Sequence, residues 1–469
     1  MSKDTWGPYV KKRPKKFDPI RKDEAGDEFI RHWCDAYEEY QWDTPHINKA
    51  TLHTVLGQVP AVRDMKIYTS KMRNEDGRVH VVWFQQSGTG KAGATYFLKE
   101  VTSRINYDNE EKKKRMLLES PDDFTGAAML GSWEEVEKYV KGQGKMIERY
   151  LKPGWLAEGV LDIFLMSEAS ILFEAKSQFK EELMVWFQMA MDPIGNNKIT
   201  RKLAKSDPIY VNPKCSFFLA SYIPPSFTKR TTERGLVQRT VPIVNDIPIK
   251  SRINNILKGI EGMDVEDNEI ERMQNELDYL AYYISELQEP YKNMSKFNFK
   301  KHAISSFKAI TYHIQDMLDG LPRYQQDQLA KFADRSVLQA KKIAMHHAIL
   351  RRDNKVEVED VSYAEEYLFP IYAKLFHYFE DALEVDTKMA DKDKQMMALI
   401  RTAIDDLHKN NLGKNGWVFE QMLVDRISSL KRKRKDYVRR KIKTWIDNGL
   451  MEHGELQGHS IVRMKKAQP

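Results

Sequence analysis

The segment that most constrains this chain runs from Arg78 to Val101, RVHVVWFQQSGTGKAGATYFLKEV. A β-branched and aromatic run, Val79 to Phe84, enters a Ser/Gly-rich turn, and a helix-like stretch follows. In that order, backbone N–H groups and a helix N-terminus can cradle a phosphate. The phosphate-loop pattern is G-x-x-x-x-G-K-[ST], and the chain reads Gln85-Gln86-Ser87-Gly88-Thr89-Gly90-Lys91-Ala92. Ser87, Gly88, Thr89, Gly90, Lys91 and Ala92 are therefore the expected nucleotide-binding residues, with Lys91 reaching the β/γ oxygens. Gln85 replaces the first glycine, and Ala92 replaces the hydroxyl residue that holds Mg²⁺. The alternative reading is a glycine turn that holds no nucleotide.

Nucleotide hydrolysis also needs an acidic group at the end of a neighbouring strand. GVLDIFLM (159–166) reads as such a strand and runs into Ser167-Glu168-Ala169. Glu168 then stands where a water-activating glutamate belongs, and Ser167 where an aspartate is expected. ILFEA offers a rival strand, with Glu174 in that role, but its apolar run is shorter. The alternative reading of Glu168 is a surface glutamate at a strand end. Ala92 and Ser167 both lack a Mg²⁺ ligand: either substitutes such as Ser167 hold the metal through water, or catalysis is impaired. A third strand, CSFFLASYI (215–223), would bring Ser221 or Tyr222 near the γ-phosphate as a sensor. An arginine in the following segment, Glu233 to Arg239, would serve as a finger for a neighbouring subunit.

The rest of the chain fits around this core. Its 469 residues suggest about three domains. With 41% apolar residues the chain can build cores. The sequence holds no apolar run near the roughly 18 residues a membrane helix requires. The basic N-terminus lacks an apolar h-region, so no secretory signal is expected and the protein reads as soluble and intracellular, in the cytoplasm. Two distant cysteines, Cys34 and Cys215, exclude a disulfide framework or a cysteine zinc site. Residues 1–25 read as a flexible basic arm, whose KKRPKK is either a nuclear signal or part of a disordered tail. Residues 26–75 are expected to be helical, with Phe29, Trp33, Tyr37 and Tyr40 at helical spacing. Residues 76–250 read as an α/β core with a parallel sheet, and 251–390 as a helical region.

Residues 391–469 read as three helices, MMALIRTAIDDL, VFEQMLVDRI and KDYVRRKIKTWIDNG, followed by a β-hairpin. That is the winged-helix plan, whose third helix enters the DNA major groove. Lys431 to Lys443 carries nine basic residues against one acid, a concentration that attracts phosphate backbones. Arg439 and Lys443 share a face with Arg440 beside it, Lys431, Lys433 and Lys435 would meet phosphates, and Ile442 and Trp445 would face the core. Protein contact is the alternative use of such a domain.

Together these features resemble the helicase-like ATPases of phages, plasmids and archaeal viruses, distant relatives of minichromosome maintenance helicases. The resemblance runs from about Glu38 to Ala364 and rests on YQWDTPHINKATLHTVLGQV, PDDFTGAAML, SEASILFEAKSQFKEELMVWFQMAMD, NPKCSFFLASYIPPSF and GLVQRTVPI. Arg335 to Ala364 resembles an AAA+ lid. The resemblance implies a P-loop AAA+ core, ATP with Mg²⁺, nucleotide bound by Ser87 to Lys91 and polarised by Glu168, Arg239 acting in trans and Arg335 as a second sensor. It also implies a homo-hexameric ring on DNA, working beside other replication proteins. Family members usually carry the Walker hydroxyl and an acidic pair, and this chain has neither. Two functions stand side by side: an ATP-driven, replicative helicase-like DNA motor, or a catalytically impaired AAA+ protein serving as a DNA-binding initiator or scaffold. A transcription regulator using only the winged helix would leave the α/β part without a purpose.

Overall fold

The computed structural model describes residues 25–40, 44, 46–68, 73–86, 89–107, 114–116, 118–119, 124–140, 144–173, 178–202, 206–222, 235–248, 250–253, 257, 267–319, 323–383, 400, 402–410, 413–414, 417–431, 435–447 and 451–464. They fall in two compact units, Met1–Leu318 with Leu329–Phe379 and Asp319–Gln328 with Glu380–Pro469. Among the described residues no helix is long and apolar enough to cross a membrane.

The first unit is α/β. Its sheet holds β1 (Val81–Gln85), β2 (Leu118–Glu119), β3 (Ile163–Met166), β4 (Ser216–Ser221) and β5 (Val241–Asn245). All neighbours are parallel, in the spatial order β5-β1-β4-β3-β2. Every residue of β1, β3, β4 and β5 is buried. Strands covered on both faces need apolar side chains at every position rather than at alternate ones. This is why VVWFQ, IFLM and SFFLAS read as unbroken runs. Leu219 pairs with Val82 on one side and Met166 on the other. That register aligns the C-terminal ends of β1, β4 and β3.

The strand expected over 159–166 is shorter, because the chain is still turning at Gly159, with φ 79°, and enters the sheet only at Ile163. The rival strand ILFEA is corrected outright, since Ser170–Phe173 is helical. Ala169 N–H donates to the Ala220 carbonyl at 2.7 Å, which folds the chain back onto β4 before a second strand can start. Glu174 lies outside the described residues, as does Ile223 beyond β4.

Helices cover the sheet. Ala25–Tyr40 buries Phe29, Trp33 and Tyr37 completely, one face at four-residue spacing. Trp33 meets Phe97 edge-on at 5.3 Å, and Phe97 lies on helix Lys91–Arg104, which leaves the glycine turn. Phe29 stacks on Tyr283 of helix Asp267–Glu286 at 4.1 Å. The first helix thus fixes the helix that follows the turn. Helices Lys301–Asp319, Arg323–Leu350 and Val358–Leu383 follow. Between them Asn298–Phe299 and Lys355–Val356 pair as short parallel strands, where the sequence suggested helix alone.

Two features were not foreseen. Gly131–Val140 and Gly144–Pro153 form a hairpin with ten paired residues on each strand, about 30 Å long at the usual rise. Its strands are rich in Glu and Lys, which are depleted in sheets, so the signal was faint. Cross-strand pairs hold it: Tyr150 Oη donates to Glu134 at 2.6 Å, and Arg149 meets Glu135 at 2.7 Å. The other is Arg78, fully buried just before β1. Its guanidinium donates to both Asp76 oxygens at 3.0 Å and to the carbonyls of Ala190, Pro213, Cys215 and Asp192.

The second unit has its own core of Ile400, Ala403, Leu423, Val424, Ile427, Val438, Ile442, Trp445 and Val462, among others. Residues 402–409 are helical, then β6 (Trp417–Phe419), helix Glu420–Lys431, helix Lys435–Asp447, β7 (Met451–Leu456) and β8 (His459–Met464) follow. β7 and β8 form the expected hairpin. The second helix starts later than expected: Trp417, Val418 and Phe419 are strand, because Val418 and Phe419 pair with Val462 and Ile461 of β8. Aromatic and β-branched residues suit that position better than a helix start.

Candidate functional site

The glycine turn leaves the C-terminal end of β1. Gly90 caps helix Lys91–Arg104 with φ 88°, a left-handed conformation that glycine adopts without strain. Ser87 and Gly88 lie outside the described residues. Around them the turn is tied from both sides. The Gln85 side chain is buried; its Nε2 donates to the Thr89 carbonyl at 2.7 Å and to Thr89 Oγ1 at 2.8 Å. Trp83 Nε1 donates to Gln85 Oε1 at 3.0 Å and fixes the amide orientation. The next residue, Gln86, donates to Asp246 and accepts from Ile247 N–H at 3.1 Å, just past β5.

Lys91 is buried at 8% exposure, and its Nζ donates to the Gln85 carbonyl at 3.1 Å. Burial pulls its ammonium below the ordinary lysine value, and the Glu168 carboxylate pulls it back up. The Glu168 carboxylate is thus near enough to act on Lys91 through its charge, as the alignment of the β1 and β3 ends requires. Glu168 and Ser167 are exposed just beyond β3. Ser221 is buried at the end of β4, between them in the sheet, and its Oγ donates to the Tyr222 carbonyl at 3.0 Å. Lys91, Ser221 and Glu168 thus share the C-terminal edge of three adjacent strands, the edge where open parallel sheets bind ligands. Ala92 is exposed and carries no side-chain oxygen. Among the described residues no group of three or more His, Cys, Asp or Glu is placed to hold a metal ion.

The two arginines sit elsewhere. Arg239 precedes β5, at the end of the sheet where strands begin, with Nε donating to Asp192 at 2.8 Å and Nη1 to the Gly235 carbonyl at 3.0 Å. Arg335 lies 3.9 Å from Glu75, and the same carboxylate is 3.6 Å from Lys342. Lys342 in turn donates to the Arg78 carbonyl at 3.0 Å, which puts this group beside the start of β1. Within one chain, neither arginine joins Lys91 and Glu168.

In the second unit Lys435, Arg439, Arg440 and Lys443 are exposed along helix Lys435–Asp447, while Ile442 and Trp445 are buried. Lys435 pairs with Asp425 at 2.7 Å, and Arg439 donates to Gln421 at 2.7 Å. Lys433 lies outside the described residues; Lys431 ends the preceding helix. Gln86 was missed in the sequence, where its pattern position is free to vary and nothing marked its bonds to the chain beyond β5. Compared with known proteins, the chain matches no protein-family model and no curated protein sequence.

Proposed function

We propose that this protein is a P-loop ATPase of AAA+ type that works on DNA as a ring, with the second unit acting as a winged-helix DNA reader. One observation carries the reading: a parallel sheet ordered β5-β1-β4-β3-β2, with a glycine turn and Lys91 after β1, Ser221 ending β4 and Glu168 after β3. This arrangement sets a cation, a hydroxyl and a carboxylate at the C-terminal edge of three adjacent strands. Phosphoryl transfer to water needs positioning and charge neutralisation more than covalent chemistry. Lys91 would leave the Gln85 carbonyl and take the β/γ oxygens, while the amides at the start of its helix meet phosphate. Glu168 would orient the attacking water, and Ser221 would hold it from the β4 side. Mg²⁺ is bound by one or two carboxylates, waters and substrate phosphates; Ser167 and Glu168 are the side-chain oxygens at the β3 end, and the ion would neutralise phosphate charge. Arg239, at the far end of the sheet, would act only on a neighbouring copy.

The exposed cations of helix Lys435–Asp447, above a packed core and beside a hairpin, support DNA as the partner. A second reading has its own support. The Gln85 amide fills the base of the turn, and Ala92 offers no metal ligand, so the fold would serve as a nucleotide-binding scaffold without turnover. Steady-state ATP hydrolysis, with and without DNA, separates the two. DNA-stimulated turnover that disappears in Lys91→Ala is expected of the motor. DNA binding with no turnover in the native chain would sink the motor and leave the scaffold.

A further inference from the structure

A cleft of about 370 Å³ opens on the first unit, away from the edge that carries Lys91. It is lined by Tyr68, Phe299, Phe307, Lys308, Thr311 and Lys341 among others, from a short strand, the pair at 298–299 and two helices. Phe299 and Phe307 meet edge-on at 5.7 Å, and Tyr68 is 45% exposed at the rim. Lys296 stands 4.7 Å from the Tyr68 ring centre. No acidic side chain among the described residues lines the cleft.

Two lysines flank these rings. Lys341 is half-buried and makes no hydrogen bond or ion pair with any described residue, and Lys308, which is exposed, makes none either. Several other cations of this unit are matched: Lys342 has Glu75 and a carbonyl, Lys300 has Glu357, and Arg351 has Asp360. A half-buried ammonium without a partner is costly unless an anion arrives to replace lost water. Burial alone lowers the Lys341 proton affinity, as expected of such a group.

We propose that this cleft binds single-stranded nucleic acid, with bases against Tyr68 and Phe299, the latter backed by the buried Phe307, and phosphates on Lys308 and Lys341. Aromatic platforms beside cations are what a single strand needs, because every base has a stacking face and every nucleotide a charge. A volume in the range of small-ligand sites suits a base with its phosphate better than a folded partner. An acidic peptide would use the lysines but leave the rings without a planar ligand. The site does not depend on nucleotide hydrolysis or on the second unit.

The test uses the full chain and a thymidine oligonucleotide of about 12 residues, within single-strand site sizes, carrying 5-iodouracil for photocrosslinking. Adducts mapped by mass spectrometry should fall on Tyr68 or Phe299, and should persist when Arg439, Arg440 and Lys443 are all changed to Ala. Tyr68→Ala should weaken this binding about fivefold or more. Lys308→Gln should flatten the dependence of log affinity on log salt by about 0.7, one phosphate contact. Both side chains are exposed, so the fold should survive, which thermal melting checks. Adducts confined to other residues, an unchanged salt slope with unchanged affinity, or competition by polyglutamate equal to that by the oligonucleotide would each overturn the proposal.

Discussion

The ammonium of Lys91 rests on the backbone carbonyl of Gln85, 3.1 Å away and six residues back along the chain. Gln85 therefore holds both ends of the turn, Lys91 through its carbonyl and Thr89 through its side-chain amide. A glycine in its place would keep the first contact and lose the second.

Gln85→Gly should consequently act in two directions. It leaves Trp83 Nε1 unpaired in the core and removes two bonds to Thr89. Stability should fall by about 1–3 kcal/mol, the cost of an orphaned buried donor. With the amide gone, Thr89 is no longer tied to the end of β1 and the turn is free to close on a ligand; a net hydrogen bond is worth about 0.5–1.5 kcal/mol. Affinity for a fluorescent ATP analogue should then rise about 2–10-fold by titration, whereas Lys91→Ala should lower it. Weaker binding in Gln85→Gly would mean that the amide organises the turn for its ligand.

The sequence carried the sheet because each of its long strands is buried on both faces, and Val81–Phe84 or Phe217–Leu219 have no other way to be apolar throughout. The turn was legible because serine and glycine between an apolar run and a helical stretch break both. Burial inside a network was not legible. Arg78 looks like any arginine in sequence, and its carbonyl partners from Ala190 to Cys215 are distant in the chain. The charged hairpin at 131–153 was hidden for a related reason: its stability comes from cross-strand ion pairs such as Arg149 with Glu135, not from residues that favour strands alone. Ser170–Phe173 misled because a short apolar run does not distinguish strand from helix.

Arg78 and Asp76 make one buried pair, and removing half of it should be severe. Arg78→Met takes the guanidinium from the buried Asp76, which keeps two backbone N–H donors and the charge of Lys342, and leaves four carbonyls short of a donor. About 3–5 kcal/mol of stability should be lost, read as a lower urea midpoint. Beside Arg78, and despite a burial penalty acting the other way, the Asp76 carboxyl is held well below the usual aspartate range. A carboxylate with a depressed folded value contributes stability above its unfolded value, near 3.9, and loses it as pH falls toward the folded one. The Asp76 contribution should therefore be complete at neutral pH and fade only below about pH 4. If Arg78→Met melted like the native chain, the pair would have no structural weight.

Three fully buried histidines act at higher pH. Burial pushes His346 down to about 3 and His53 and His80 well below their ordinary values. Unfolded histidine titrates near 6.5. Above that value both states are neutral. Below it the unfolded chain takes a proton that the fold refuses, so stability drops as pH falls below about 6.5, for His346 down to about 3. Each such histidine should cost about 1.4 kcal/mol per pH unit in that window. His346 Nε2 lies 2.8 Å from the Gly77 carbonyl, a bond that a glutamine amide can replace. His346→Gln should flatten the stability–pH slope by about 1.4 kcal/mol per unit between pH 6 and 4. Equal slopes, measured by urea unfolding across this range, would mean that the folded protein protonates His346 without penalty.

Helix Lys435–Asp447 separates binding from folding along its own length. Ile442 and Trp445 lie in the core of the second unit, and Arg439, Arg440 and Lys443 lie outside it. Trp445→Ala should cost about 3–5 kcal/mol through the cavity it leaves. Changing Arg439, Arg440 and Lys443 to Ala should hardly affect melting, since exposed substitutions stay within about 0.5 kcal/mol. Affinity for duplex DNA should fall instead, with the log–log salt slope reduced by up to about 2.7, roughly 0.9 for each phosphate contact removed. Arg439 and Arg440 already donate to Gln421 and to the Asp436 carbonyl, so each gives up a bond to reach phosphate. A salt slope untouched by the triple change would move the duplex contact off this helix, whatever the fold around it resembles.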